Sequence, residues 1–209
     1  MNVLAIGAHP DDIEFGCGGT LLKYAQKGDK VYLLIITKGG MGGDIPLRKA
    51  EQEASAKILR CTEVFWGNYD DTRVPVDQKL IQTIEDVIRK VDPTFIFVHH
   101  SDDTHQDHRH LATCTVTATR YTRNVLFYEG PTTQNFHPTV FTDIDSVLDK
   151  KIASLEAHSS QVVKTRIEGL SIVDITRSAA HFRGIQGRVK NAEAFVPLRL
   201  FINLDPQPA

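Results

Sequence analysis

Short apolar runs alternate along this chain with segments of helical periodicity, and that alternation narrows the possible folds more than any other feature. "NVLAIGA", "KVYLLIIT" and "TFIFVHH" are nearly continuous apolar stretches, the pattern of strands covered on both faces. Between them, "TLLKYAQKG" reads as a helix stopped at Gly28, and "PLRKAEQEASAKIL" as a helix with Pro46 in its first turn, where a missing N–H costs least. "TEVFW" is a further short strand, and "DQKLIQTIEDVIRKV" puts Leu80, Ile81, Ile84, Val87, Ile88 and Val91 on one helical face. A helix from Arg109 to Thr122 follows the "TFIFV" strand. Beyond Asn124 the order changes: "VLFYE" and "TVFTDI" are strands, "SVLDKKIASLEAH" is a helix capped by Asp145, and another helix lies within 173–187. "AFVPLRLFINL" is a last strand before the tail "DPQPA". The pattern predicts an α/β, Rossmann-like fold: a single domain over 1–209 with a mostly parallel sheet, helices on both faces and additional C-terminal strands.

A chain of 209 residues suffices for one good-sized core. Its net charge of -2, without a long basic run, leaves no footprint for nucleic acid or an anionic membrane. No apolar run has the length of a membrane span, and "MNVLAIGAHP" lacks the features of a signal peptide. The three cysteines, Cys17, Cys61 and Cys114, have no CxxC spacing, which argues against a disulfide framework or a thiolate zinc site and for a cytoplasmic protein.

In open parallel sheets, ligands bind beyond the carboxyl ends of the strands. Two strands here end in polar clusters: the first runs into His9-Pro10-Asp11-Asp12, the other into "HHSDDTHQDHRH". Five of the nine histidines fall between His99 and His110. Imidazole and carboxylate suit a catalytic zinc, which takes three protein ligands and keeps one position for water. His9, Asp12 and His108 are the expected ligands of one ion per chain, and iron(II) would accept the same donors. Asp11, beside a ligand, is placed to take a proton from water; neighbours in extended chain face opposite ways, which divides the roles. Plainer readings exist for single residues: helix capping for Asp11 or Asp12, packing for one of His99 and His100, surface exposure for His110. The two motifs, each following a separate buried strand, favour the metal site.

"AHPDDIEFGCGGT" and "DTHQDHRH" resemble the PIG-L/LmbE-like zinc-dependent N-deacetylases, which remove acetyl groups from N-acetylglucosamine-type amino sugars. "RKAEQEASAKIL", "DTRVP", "KKIASLEAHSSQ" and "RGIQGRVKNAEAF" are similar to further segments of that family. The resemblance implies zinc on His9, Asp12 and His108, with Asp11 as general base. It implies that His105 steadies the tetrahedral intermediate and helps protonate the departing amine, and that Asp107 orients His105 and keeps it cationic. It also implies substrate contacts from Arg48 and Asp71, a small amino-sugar substrate and assembly as a homo-oligomer. Arg48 has an equally weighted alternative, an exposed helix residue paired with Glu51. Where some relatives carry a tyrosine before the second histidine pair, this chain has Asp103 and Thr104. The segment "FYEGPTTQNFHPT" is similar to a region found in part of the family and is expected at the pocket mouth.

Three other readings compete. Asp11, Asp12, Asp102, Asp103 and His108 would suit a phosphoesterase with two metals about 4 Å apart. A sugar-binding module without catalysis is possible on the same fold. A dinucleotide site is disfavoured, because Gly16, Gly18 and Gly19 do not spell GxGxxG; that cluster is expected to open a helix and let backbone approach the metal loop.

Overall fold

Along β1 (Asn2–Gly7) the side chains alternate between two apolar layers, with Val3 and Ala5 entering one, Leu4 and Ile6 the other, and all four fully buried. A strand with no polar face needs cover on both sides, and the computed structural model, which describes residues 1–202, supplies it. The remaining strands are β2 (Lys30–Thr37), β3 (Glu63–Tyr69), β4 (Phe95–His99), β5 (Val125–Tyr128), β6 (Val140–Asp143) and β7 (Ala192–Arg199). They form one sheet in the order β3-β2-β1-β4-β5-β7-β6. The first five run parallel, whereas β7 is antiparallel to both β5 and β6.

Helices α1 (Asp12–Gln26), α2 (Ile45–Ile58), α5 (Leu148–Glu156) and α6 (Ile172–Gly187) contribute to the core on one face. Helices α3 (Gln78–Val91) and α4 (Gln106–Ala118) contribute to the other. The strand order reverses direction between β1 and β4, and the chain leaves both strands at the same edge of the sheet. That edge is where a doubly wound sheet opens a crevice. Among the described residues, no helix is long and apolar enough to cross a membrane.

Several boundaries differ from the sequence expectations. Helix α1 starts at Asp12, not at Thr20, so the glycine cluster lies inside the helix and not at its opening. The reason is packing: a Cβ on Gly16 would stand 2.1 Å from the Tyr128 ring, and one on Gly19 would stand 2.8 Å from Ile144. Helix α4 starts at Gln106, three residues before Arg109, and ends at Ala118. Asp145 does not cap α5; it sits in a 3-10 turn, where its carboxylate accepts from Asn191. The last strand ends at Arg199, while residues 203–204 of the expected strand and the tail "DPQPA" lie outside the described residues.

Gly16→Ala is expected to lower stability by about 3 kcal/mol, because an overpacked site has to displace its neighbour. Tyr128 has nowhere to go, being fully buried with its hydroxyl donating to the Ile6 carbonyl at 2.8 Å. Denaturant titration checks this, and an unchanged midpoint would show that α1 can slide away from β5.

Candidate active site

The site begins with the turn that leaves β1. Asp12 Oδ2 accepts the N–H of His9 at 2.7 Å, drawing the start of α1 back against the strand end. Asp11 adopts φ 95°, a left-handed conformation that few residues other than glycine enter and that aspartate tolerates better than most. Its N–H donates to Gln52 Oε1 at 3.3 Å. Arg48 Nη2 donates to the Pro10 carbonyl at 2.6 Å and lies 3.4 Å from Asp11 Oδ2. Gly39, at φ +66°, makes room for this, since a Cβ there would stand 3.0 Å from Pro10 and 3.1 Å from Arg48 Nε. The alternative of an exposed Arg48 paired with Glu51 is therefore corrected. Arg48 is 4% exposed, and Glu51 accepts from Ser159 and Ser160.

The second cluster is set by the start of α4. His105 is the N-cap, and its Nδ1 accepts the Asp107 N–H at 3.2 Å, which leaves Nε2 to carry the ring proton. Asp103, in the preceding loop, accepts the His105 N–H and the hydroxyls of Thr132 and Thr133. The segment resembling the family's pocket-mouth region is thereby tied to the loop that carries His105. One turn into α4, His108 turns Nδ1 to 3.2 Å from Asp103 Oδ2 and Nε2 to 3.5 Å from Asp12 Oδ2.

His9, Asp12 and His108 converge so that one donor atom from each lies within 4.8 Å of the others. The Nε2 of His108 is buried without a hydrogen-bond partner, as a cation between His108 and Asp12 would require, while Nδ1 faces the Asp103 carboxylate. The donor set, two imidazoles and a carboxylate, fits a divalent transition metal. A second group, His9, Asp71 and His105, also comes within 4.8 Å. Both groups use His9, and a neutral imidazole offers only one free lone pair, so the two are alternatives and not a dinuclear site.

The electrostatics point the same way. Burial pushes the Asp12 carboxyl up, but His108, His99 and His9 outweigh it and hold Asp12 well below the ordinary carboxylate range. Burial pulls His9 and His108 down, yet the carboxylates facing them prevail: His9 rises well above its ordinary value and His108 to about 9. The cluster thus demands positive charge, from protons on the imidazoles or from a bound cation that displaces them. Asp11 behaves differently: burial pushes it up to about 6, with Arg48 opposing and Asp12 reinforcing the rise.

Other expected site residues fall in unexpected places. Asp107 meets the His105 ring through its backbone N–H and not through its carboxylate. Its carboxylate accepts the N–H groups of Thr72 and Val74 at 2.7 and 3.2 Å and faces His9 Nε2 at 3.1 Å. Burial, His9 and His108 push the His105 pKa down, while Asp12 and Asp107 pull it up and only partly offset them. Asp71 Oδ1 lies 3.1 Å from His9 Nε2, and its Oδ2 accepts the Met41 N–H at the edge of a cleft of about 320 Å³ that includes Lys38, Ile45 and Arg73. His110 is half-buried, not exposed, with Nδ1 2.7 Å from the Val74 carbonyl. His99 stacks on His108 with ring centroids 3.8 Å apart and brings Nε2 within 3.1 Å of Asp12. The phosphoesterase arrangement is not assembled: Asp103 serves His108 and the threonines, and Asp102 accepts from Asn135.

Sequence and structure comparisons bear on the family and the fold. Residues 4–119 match the family described as "PIG-L: GlcNAc-PI de-N-acetylase". The chain is similar to a protein of Escherichia coli K12 named "Uncharacterized deacetylase YaiS", 36% identical over 76% of this chain and 90% of that one. It is also similar to the diacetylchitobiose deacetylase of Thermococcus kodakarensis, 28% identical over 76% of this chain and 69% of that one. Among solved structures, the hydratase GalB of Pseudomonas putida KT2440 superposes with a TM-score of 0.83 at 21% identity, covering 98% of this chain and 99% of that one. That likeness shows the fold alone, and function has to be argued from the site.

Proposed function

From the premise that this chain belongs to the PIG-L/LmbE-like family of N-deacetylases, we propose that it hydrolyses the N-acetyl group of an N-acetylglucosamine-type amino-sugar derivative and releases acetate. One observation carries the reading: the donor atoms of His9, Asp12 and His108 lie within 4.8 Å of one another, and Asp11 stands beside that group without belonging to it. Zinc, or iron(II), held by those residues supplies a Lewis acid for the amide carbonyl and lowers the pKa of water to roughly 7.

The chain's own groups handle the protons. Asp11, its pKa pushed up to about 6 by burial, takes one from the attacking water and can return it. As the water oxygen adds to the carbonyl carbon, negative charge grows on the carbonyl oxygen, and the Nε2–H of His105 is the donor available to it. The C–N bond then breaks, a proton goes to the nitrogen, and acetate and a free amino sugar leave. Asp71 at the cleft edge offers a carboxylate to sugar hydroxyls. Arg48 acts from beneath the Asp11 turn and holds the base, a different task from the substrate contact implied by the family resemblance.

A panel of N-acetylated amino sugars with different anomeric substituents tests the reading. Acetate and primary amine are expected in equal amounts from at least one member. Cleavage of a phosphate ester, with no amine from any acetamide, would overturn it. The cytoplasmic setting rests on the three free cysteines. A homo-oligomer is consistent with the exposure of Phe182 and Ile185 on α6.

A further inference from the structure

Beneath the Asp11 turn lies a group of polar side chains that the hydrolysis does not use. Glu14 on α1, Gln52 and Ser55 on α2, and His158 after α5 are each at most 1% exposed. Burying so many polar groups is costly unless they satisfy one another. Gln52 links them to the base: its Oε1 accepts the Asp11 N–H at 3.3 Å, and its Nε2 donates to Glu14 Oε1 at 2.6 Å. The same Glu14 oxygen accepts the Ser55 hydroxyl at 2.6 Å, and His158 Nε2 lies 3.4 Å away. Only one orientation of the Gln52 amide works. Reversed, its NH2 would meet the Asp11 N–H and its oxygen would meet the Glu14 carboxylate.

Asp11 needs such a partner. It is the N-cap of α1 at φ 95°, and its own side chain makes no capping hydrogen bond. A residue with a side chain is strained in that conformation and keeps it only where its surroundings enforce it. We propose that Gln52 is a positioning residue for Asp11, holding the backbone of the base in the left-handed turn that aims its carboxylate, with Glu14 fixing the Gln52 amide. This rests on the reading of Asp11 as the base. A leucine would fill the volume of Gln52 without polar atoms, so packing alone does not explain the glutamine.

Three variants test the inference: Gln52→Leu, Ser55→Ala, and the exchange Glu14→Gln with Gln52→Glu. Each is measured for kcat, KM, bound metal and the hydrogen-exchange rate of the Asp11 amide by NMR. Gln52→Leu is expected to lower kcat about 30-fold with KM and metal content nearly unchanged, since a small misplacement of a reacting group is costly. Its Asp11 amide is expected to exchange about tenfold faster. Ser55→Ala, which removes a partner of Glu14 but leaves Asp11 bonded, should remain near the wild type in both respects. The exchange variant restores an acceptor for Asp11 and a donor–acceptor pair with residue 14, and is expected to recover most of kcat and the amide protection.

A Gln52→Leu kcat within about twofold of wild type, or an equal fall in Ser55→Ala, would overturn the proposal. If Gln52→Leu does not fold, the exchange variant decides. Folded and metal-bearing with a fast-exchanging Asp11 amide, it contradicts the proposal; with a protected amide, it supports it. Absence of acetate release from the wild type would count against the functional reading alone, because amide exchange reports the Gln52 hold without any substrate.

Discussion

His108→Ala is expected to strip the bound metal and lower kcat/KM at least about a thousandfold, because a Lewis acid at the reacting carbonyl is worth several kcal/mol. His108 is the ligand that brings the two halves of the site together. Asp12 and His9 come from the turn after β1, whereas His108 comes from α4, nearly a hundred residues on and beyond β4. Its two ring nitrogens sit between the carboxylates of Asp12 and Asp103, at 3.5 and 3.2 Å. Alanine leaves His9 and His99 beside Asp12 but removes one of the three donor atoms and the imidazole that faces Asp103. The stability readout is specific. Added zinc should raise the melting temperature of metal-free wild type, by linkage to native-state binding, and should leave His108→Ala unmoved. Full metal retention by His108→Ala would remove His108 from the ligand set.

Asp11→Asn is expected to reduce kcat about a thousandfold while metal content and KM change little, the size of effect associated with a general base. The geometry separates Asp11 from the ligands. Its side chain is 27% exposed and paired with Arg48, while the next residue turns its carboxylate to His9, His99 and His108. The carboxyl pushed up to about 6 is a base only when ionised, so activity is expected to fall as pH drops through that region. A bound cation draws this limb to lower pH. Arg48 opposes the rise in pKa, so Arg48→Gln is expected to move the limb upward. An acid limb unmoved by Arg48→Gln, or an Asp11→Asn variant that loses its metal, would contradict the division of roles between neighbouring aspartates.

Much of this was legible in the sequence because the strands are uninterrupted. The apolar run to Ala8 announces that His9, Asp11 and Asp12 leave a buried strand at its end, and the "TFIFV" run does the same for the later histidines. Periodicity also gave both layers of cover. What it could not give was close packing. Gly16, Gly18 and Gly19 read as the opening of a helix, whereas they lie inside α1, and two of them sit where the Tyr128 ring and Ile144 press against it. Helix α4 begins three residues before Arg109, because His105 caps it through a ring nitrogen and not through a customary serine or aspartate. Spacing could not show that Asp107 turns to the amides of Thr72 and Val74, since those N–H groups belong to a loop more than thirty residues away. The pattern does not say which of His99 and His100 packs; His99 faces Asp12 directly, and its place as the last residue of β4 is the available signal. Nothing in the sequence marked Gln52, which looks like any polar residue on an amphipathic helix and is fully buried. The insertion of β7 between β5 and β6 depends on antiparallel pairing that strand patterns do not encode.

The most direct test of the central claim follows acetate release from N-acetylglucosamine derivatives while metal per chain is counted, in the protein as purified, after chelation, and after zinc is returned. About one metal per chain, with acetate formed only when it is bound, is the expected result. Acetate release that persists in metal-free protein, or metal-replete protein that deacetylates none of the sugars, would contradict the account.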